Sequence, residues 1–228
     1  MTQCQPLYII ALTLCQRVGG EITLSNINDN KIDRRCEIIN ACLKLYEKVG
    51  FNEITIKDIA AETTFSRPSI YNYFQTKEEI FLAILQNEYI AWTKDIKKII
   101  DENEKLTKTE LISKFSKTIS FRIIMLKLMA MNLYDIEENS SIEALIEFKK
   151  VYSDSIDIVK KLLRKFVINI TEDELEDFIY MLYPFMYGLY PYTNSTKKQI
   201  EAMKKANVIP SKVTVYDVTY KAITKMLN

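Results

Sequence analysis

From Asp33 to Val49 the apolar residues Ile38, Ile39, Cys42, Leu43, Tyr46 and Val49 recur at helical spacing, with charged residues between them. That pattern predicts one buried face on a 3.6-residue period. Gly50 then supplies a left-handed position to end the helix, and Phe51 is placed to fold back on its last turn. Thr55 is a good N-cap for a short second helix with Asp58 in its first turn and Ile56, Ile59, Ala60 and Thr63 as its inner stripe. Ser66 caps a third, where Pro68 falls in the first turn and costs no hydrogen bond. Its inner face is expected to be Ile70, Tyr73 and Phe74. Thr76-Lys77-Glu78-Glu79 reads as a capping box that opens a long fourth helix through Phe81, Ile84, Leu85, Tyr89 and Trp92.

Beyond Asp101 the apolar period stays helical over 107–134, 141–169 and 172–190, and two shorter helices close the chain around Asn194-Ser195, Pro210 and Tyr216. No segment reads as a strand. Four Gly and five Pro among 228 residues are too few for a sandwich or barrel. The expected fold is all-α: an N-terminal three-helix helix-turn-helix domain (33–80), joined by a long helix to a C-terminal helical domain (81–228). Residues 1–32 form an N-terminal extension. Within it, Arg17-Val18-Gly19-Gly20-Glu21 is compatible with a translated purine-rich ribosome-binding sequence. A native start at Leu24, decoded as methionine, is one expectation, and a genuine N-terminal arm is the other.

Charge alone identifies no partner. The net charge is +1, and Lys31 to Ile80 holds eight Lys/Arg against eight Asp/Glu. Histidine is absent, and Cys4, Cys15, Cys36 and Cys42 match no zinc spacing, so no metal site or cofactor is expected and the cysteines read as reduced thiols in a cytoplasmic protein. With no Gly-rich phosphate loop and no catalytic constellation either, an enzyme is not expected. The longest uncharged run, Thr2 to Gln16, is too short for a membrane span and lacks the basic start of a secretory signal.

Placement of charge is more telling. A third helix that carries Ser66, Arg67, Ser69, Tyr71 and Asn72 outward offers the donors and acceptors needed at base edges and phosphates. Arg67 suits guanine and Asn72 adenine, while Pro68 and the Ser69 methylene suit a thymine methyl group. Tyr71 and Lys77 suit phosphate oxygens. Arg34, Arg35, Lys57, Arg67 and Lys77 gather toward the N-terminal ends of their helices, which leaves the acids for the far side.

These residues resemble the TetR (tetracycline-repressor) family of bacterial transcriptional regulators. The resemblance is carried by Ile38-Ile39-Asn40-Ala41, Leu45 to Phe51, Thr55 to Ala60, Ser66 to Phe74 and Lys77-Glu78-Glu79-Ile80, in order and spacing over about Asp33 to Leu85. It implies that Thr55, Tyr71 and Lys77 hold phosphates. Lys57, Arg67, Pro68, Ser69 and Asn72 would approach bases, with Tyr73 near the DNA backbone. One departure stands out: Thr64 occupies the turn where the family usually has glycine. A β-branched residue disfavours positive φ, so the turn adopts another geometry or carries strain.

The run Phe178 to Tyr192 is dense in aromatics and Met, which fits a helix packed on its own domain by one face and on a partner by another. The resemblance places a homodimer's four-helix bundle here, formed with the terminal helices around Val215 to Leu227, and Pro184 is expected to kink or open the helix. A small-molecule pocket is expected among the middle helices, with Trp92, Phe121, Met125, Met129, Phe148, Tyr152 and Tyr183 as lining candidates and Arg122 as a candidate for an acidic inducer. The expected function is a ligand-responsive regulator, a repressor, that binds a palindromic operator in double-stranded DNA as a homodimer. The alternative is an all-helical protein-interaction module with a vestigial head.

Overall fold

The computed structural model describes residues 26–209 and 212–227, with side chains from Asp33 onward; the proposed start at Leu24 lies outside the described residues. Eleven α-helices are present among them, and no strand. They are α1 (Asn26–Lys48), α2 (Ile56–Ala61), α3 (Arg67–Ile70), α4 (Lys77–Glu102), α5 (Lys108–Ser120), α6 (Ile123–Met131), α7 (Leu133–Glu138), α8 (Ile142–Phe166), α9 (Glu172–Thr193), α10 (Lys197–Lys205) and α11 (Val215–Met226). The all-α expectation holds. Threonine sets many of the starts: Thr55, Thr107, Thr171, Thr196 and Thr214 each form a capping box with the residue three positions on.

The described chain up to Asn87 packs with Tyr134–Lys149 as one compact unit, and Glu88–Leu133 packs with Lys150 onward as a second. Helices α4 and α8 run without a break from one unit into the other.

In the first unit, α2 packs on α1 and on α3. Its core closes around Phe81, whose ring lies 5.1 Å from Tyr46 and 4.7 Å from Phe51. Phe51 thus folds back as expected, but not through a left-handed glycine. Gly50 is extended (φ −77°) and leads into a short 3-10 turn, Phe51–Glu53. Cys42 is a buried free thiol. The expected thiols Cys4 and Cys15 lie outside the described residues.

In the second unit, α9 packs on α6, and α11 on α5 and α9. Trp92 of α4 sits at its centre, fully buried. It stacks on Phe115 at 6.2 Å and meets Tyr89 and Tyr183 edge-on. The indole N–H donates to Thr118 Oγ1 at 3.0 Å. The single helix expected over 107–134 is broken. Arg122 leaves helical geometry (φ −102°, ψ 49°) and its guanidinium turns inward to pair with Asp95 and, at 3.9 Å, with Glu88. Helix α9 continues through both Pro184 and Pro191.

Burial pushes the Glu88 carboxyl up to about 7; Arg122 opposes the shift and Asp95 reinforces it. A carboxyl raised in the folded state stabilises fully below its unfolded value, and that contribution is lost as pH rises through the folded value. Thermal unfolding from pH 4 to 8 should therefore show a decline toward neutrality that Glu88→Gln flattens. Parallel profiles for the two proteins would show that Glu88 does not titrate differently on folding.

Candidate nucleic-acid interface

The third helix is only four residues long, too short to hold its own shape. Its position comes from burial beneath and from hydrogen bonds at both ends. Ile70 and Phe74 are buried as expected, while Tyr73 is only half-buried and leans on Phe65. Ser66 stands at the N-cap, yet its hydroxyl pairs with that of Ser69 at 2.8 Å and makes no cap bond to the backbone. The outward face then presents Ser66, Arg67, Pro68, Tyr71 and Asn72 exposed, with Ser69 half-buried. Arg67 donates to the Tyr71 hydroxyl at 3.3 Å, which aligns two polar groups along one edge.

The turn before this helix resolves the question of Thr64. Among the described residues, positive φ outside glycine occurs only at Asn169 and Asn207, so Thr64 carries no left-handed strain. Its amide and hydroxyl both donate to Glu37 Oε1, at 2.7 and 3.0 Å. Thr63 adds local closure: its hydroxyl donates to the Ala60 carbonyl and accepts from the Phe65 amide. A carboxylate on α1 therefore holds the turn from outside.

At the far end of α3, Arg35 donates to the Tyr73 carbonyl at 3.2 Å and lies 4.2 Å over the Phe74 ring. Lys77 donates to the carbonyls of Phe51 and Ile54, at 3.0 and 3.2 Å, and sits over the Phe51 ring. Two of its three ammonium protons are thus committed inside the unit, and one remains. Thr55 is similarly engaged: its hydroxyl accepts the Asp58 amide, and its hydroxyl and amide both donate to the Asp58 carboxylate, which holds that carboxyl below its ordinary range. Lys57, next along α2, is exposed.

Glu79 is the buried acid of this unit. Its carboxylate accepts from the Gln75 amide at 2.7 Å, from the Ser141 hydroxyl at 2.6 Å and from the Ser141 amide at 3.2 Å. Thr76 accepts from the Glu79 amide, but the reciprocal half of the expected capping box is diverted to Gln75 and Ser141. Thr76 also donates to the Asn139 carbonyl. Burial alone would raise the Glu79 carboxyl, yet the donors from Ser141 and Gln75 and the charge of Arg35 hold it below the usual range.

The sequence reading missed Glu37, Arg35 and Glu79 as anchors of the head. Their only signal is an acid or base close to the apolar stripes of α1 and α4, and their partners lie too far along the chain to be foreseen.

The ligand-lining candidates do not converge on one site. Trp92, Met125, Met129, Tyr152 and Tyr183 share the interior of the second unit, where Tyr152 packs edge-on against Tyr89 and Tyr183. Arg122 is buried in its ion cluster. Phe121 is exposed and borders a cavity of about 320 Å³ with Ile99, Lys98, Lys114 and Lys117, and with the acids Asp95 and Glu102. Phe148 belongs to the core of the first unit.

An all-helical chain with this turn-and-helix head has the build of a DNA-binding regulator, and comparison with known proteins agrees. The family model "Bacterial regulatory proteins, tetR family" matches residues 38–84, and "Tetracyclin repressor-like, C-terminal domain" matches 86–227. The chain belongs to the TetR family of DNA-binding transcriptional regulators. It is 36% identical over 58 residues to the uncharacterized HTH-type transcriptional regulator YfiR of Bacillus subtilis, a stretch that spans 25% of this chain and 28% of that one. In fold it is similar to the fatty acid degradation regulator FadR of Bacillus halodurans (TM-score 0.58, 13% identity, 86% of this chain and 95% of that one). The FadR of Bacillus subtilis, solved with stearoyl-CoA, is similar too (TM-score 0.55, 14% identity, 84% and 97%). No helix among the described residues is long and apolar enough to cross a membrane.

Two substitutions test the anchors. Glu37→Ala should release the turn at Thr64, costing about 1–3 kcal/mol of stability and weakening DNA binding more than the helical content. Glu79→Gln should loosen the corner at Ser141; faster amide exchange at 139–141 checks it, and unchanged protection there would show the clamp to be redundant.

Proposed function

We propose that this chain is a ligand-responsive repressor that binds a palindromic operator as a homodimer in the bacterial cytoplasm and leaves it when a small molecule binds. The observation that carries this reading is the outward face of α3, where Arg67, Pro68, Tyr71 and Asn72 stand exposed on a helix whose other face is fixed by Ile70 and Phe74. Arg67, Pro68, Ser69 and Asn72, with Lys57 from α2, approach base edges. Ser66, Thr55, Tyr71, Tyr73 and the remaining proton of Lys77 serve the phosphates. Two such helices must lie about 34–36 Å apart to enter successive major grooves.

Release requires a ligand that favours a dimer arrangement with the wrong spacing. Helix α4, which begins at Lys77 and carries Trp92 in the second unit, is the lever. The fold shared with FadR, one example of which was solved with stearoyl-CoA, makes a long-chain acyl-CoA the first ligand class to test. Lys114 and Lys117 beside Ile99 and Phe121 offer cations to an anionic headgroup, while Lys98 pairs with Glu102 on the same rim and Asp95 adds a second acid.

Selection from random duplex DNA should yield a palindrome, with affinity that falls steeply as salt rises. Arg67→Ala should cost about 1–3 kcal/mol and relax preference at one base pair, whereas Tyr71→Phe should weaken binding about equally across sequences. Failure to enrich any sequence, or affinity indifferent to salt, would favour the protein-interaction reading. An acyl-CoA that leaves operator affinity unchanged would remove that ligand class and leave DNA reading intact.

A further inference from the structure

Helix α10 buries none of its nine residues; only Ile200 and Met203 are half-covered. A helix this short is marginal without tertiary support, even with its Thr196–Gln199 cap. It carries Lys197, Lys198, Lys204 and Lys205 against one acid, Glu201, which pairs with Lys205. Lys197 and Lys198, on its first turn, have no ion pair among the described residues.

The complementary charge lies on α9. Glu172, Glu174 and Glu176 are committed to Arg164, the Thr171 cap and Lys160. Asp173 and Asp177 are exposed and have no hydrogen-bond or ion-pair partner among the described residues. At about 100° per residue, Asp173, Asp177, Tyr180, Pro184 and Tyr187 share roughly 80° of the helix surface. An acidic end thus leads into an apolar stripe in which Tyr180 and Tyr187 stay exposed, flanked on one side by the exposed Met181 and Tyr192.

Resting on the homodimer reading, we propose that the α10 arm of each protomer clasps the acidic end of α9 in the other. A two-fold interface uses the same patch on both copies. The exposed apolar side chains run from Tyr180 to Tyr192, so an antiparallel α9 pair centres its axis level with Met186. The chain that leaves the C-terminal end of each α9 then enters α10 at the acidic N-terminal end of the partner helix, where Asp173 and Asp177 lie. The tyrosine stripe supplies the buried area. The charges fix register and exclude a parallel pairing that would set like against like.

The test uses the full chain at low salt, with dimer dissociation followed by sedimentation and folding checked by circular dichroism. D173K/D177K and K197E/K198E, each alone, should raise the dimer dissociation constant at least about tenfold, because both clasps then oppose like charges. Mixing the two variants should restore near-native affinity as a heterodimer, since each clasp again joins opposite charges. Charges that acted within one protomer could not be rescued by mixing, so weakened variants without rescue overturn the clasp. So does a variant that dimerises as the native chain does, and the homodimer reading survives that result. K197E/K198E that lowers only DNA affinity makes α10 a DNA-contacting arm instead. A native chain that sediments as a monomer at all concentrations overturns the homodimer reading itself.

Discussion

The reading head depends on how a four-residue helix is held in place. Isolated, α3 has almost no helical stability, because nucleation fixes more backbone freedom than so few hydrogen bonds offset. Its shape is imposed from α1 and α4. Glu37 fastens the turn before it, Arg35 fastens the carbonyl after it, and Lys77 ties α4 to the 3-10 turn that leads into α2. Each anchor is a charged group bonded to backbone, the kind of contact that fixes position more sharply than apolar burial does. The side chains left pointing outward are thereby set on a rigid base.

The second unit follows a different rule. Its centre is a cluster of rings around Trp92 whose polar tips are satisfied inside: the indole by Thr118, the Tyr183 hydroxyl by Ser155. Beside it, one buried guanidinium meets two carboxylates, and its Nε finds no partner among the described residues. Such a cluster is costly to bury, and it sits where the helical geometry is interrupted at Arg122.

Helices α4 and α8 each run from one unit into the other. Glu79 and Thr76 bind the corner at 139–141 into the head, so the incoming end of α8 is anchored there as firmly as the outgoing end of α4.

Much of this was legible in the sequence. Apolar period placed the helices, threonine caps marked their starts, and the order of residues from Asp33 to Leu85 identified the head. Local rules suffice there because helix periodicity and capping act over three or four residues. They failed at Gly50, at the break near Arg122 and at the second half of the Glu79 cap, where a distant partner overrode the local preference. The outward set on α3 could be named from its spacing, but Thr64 could not be judged without Glu37, 27 residues away. The ligand candidates fared differently: aromatic and Met residues look alike in sequence whether they line a cavity or fill a core. The sequence by itself determined which segments are helices and which face of each is apolar, because those depend on neighbours along the chain. Only the tertiary structure decided which charges are anchors and which are free, because that depends on who meets whom in space.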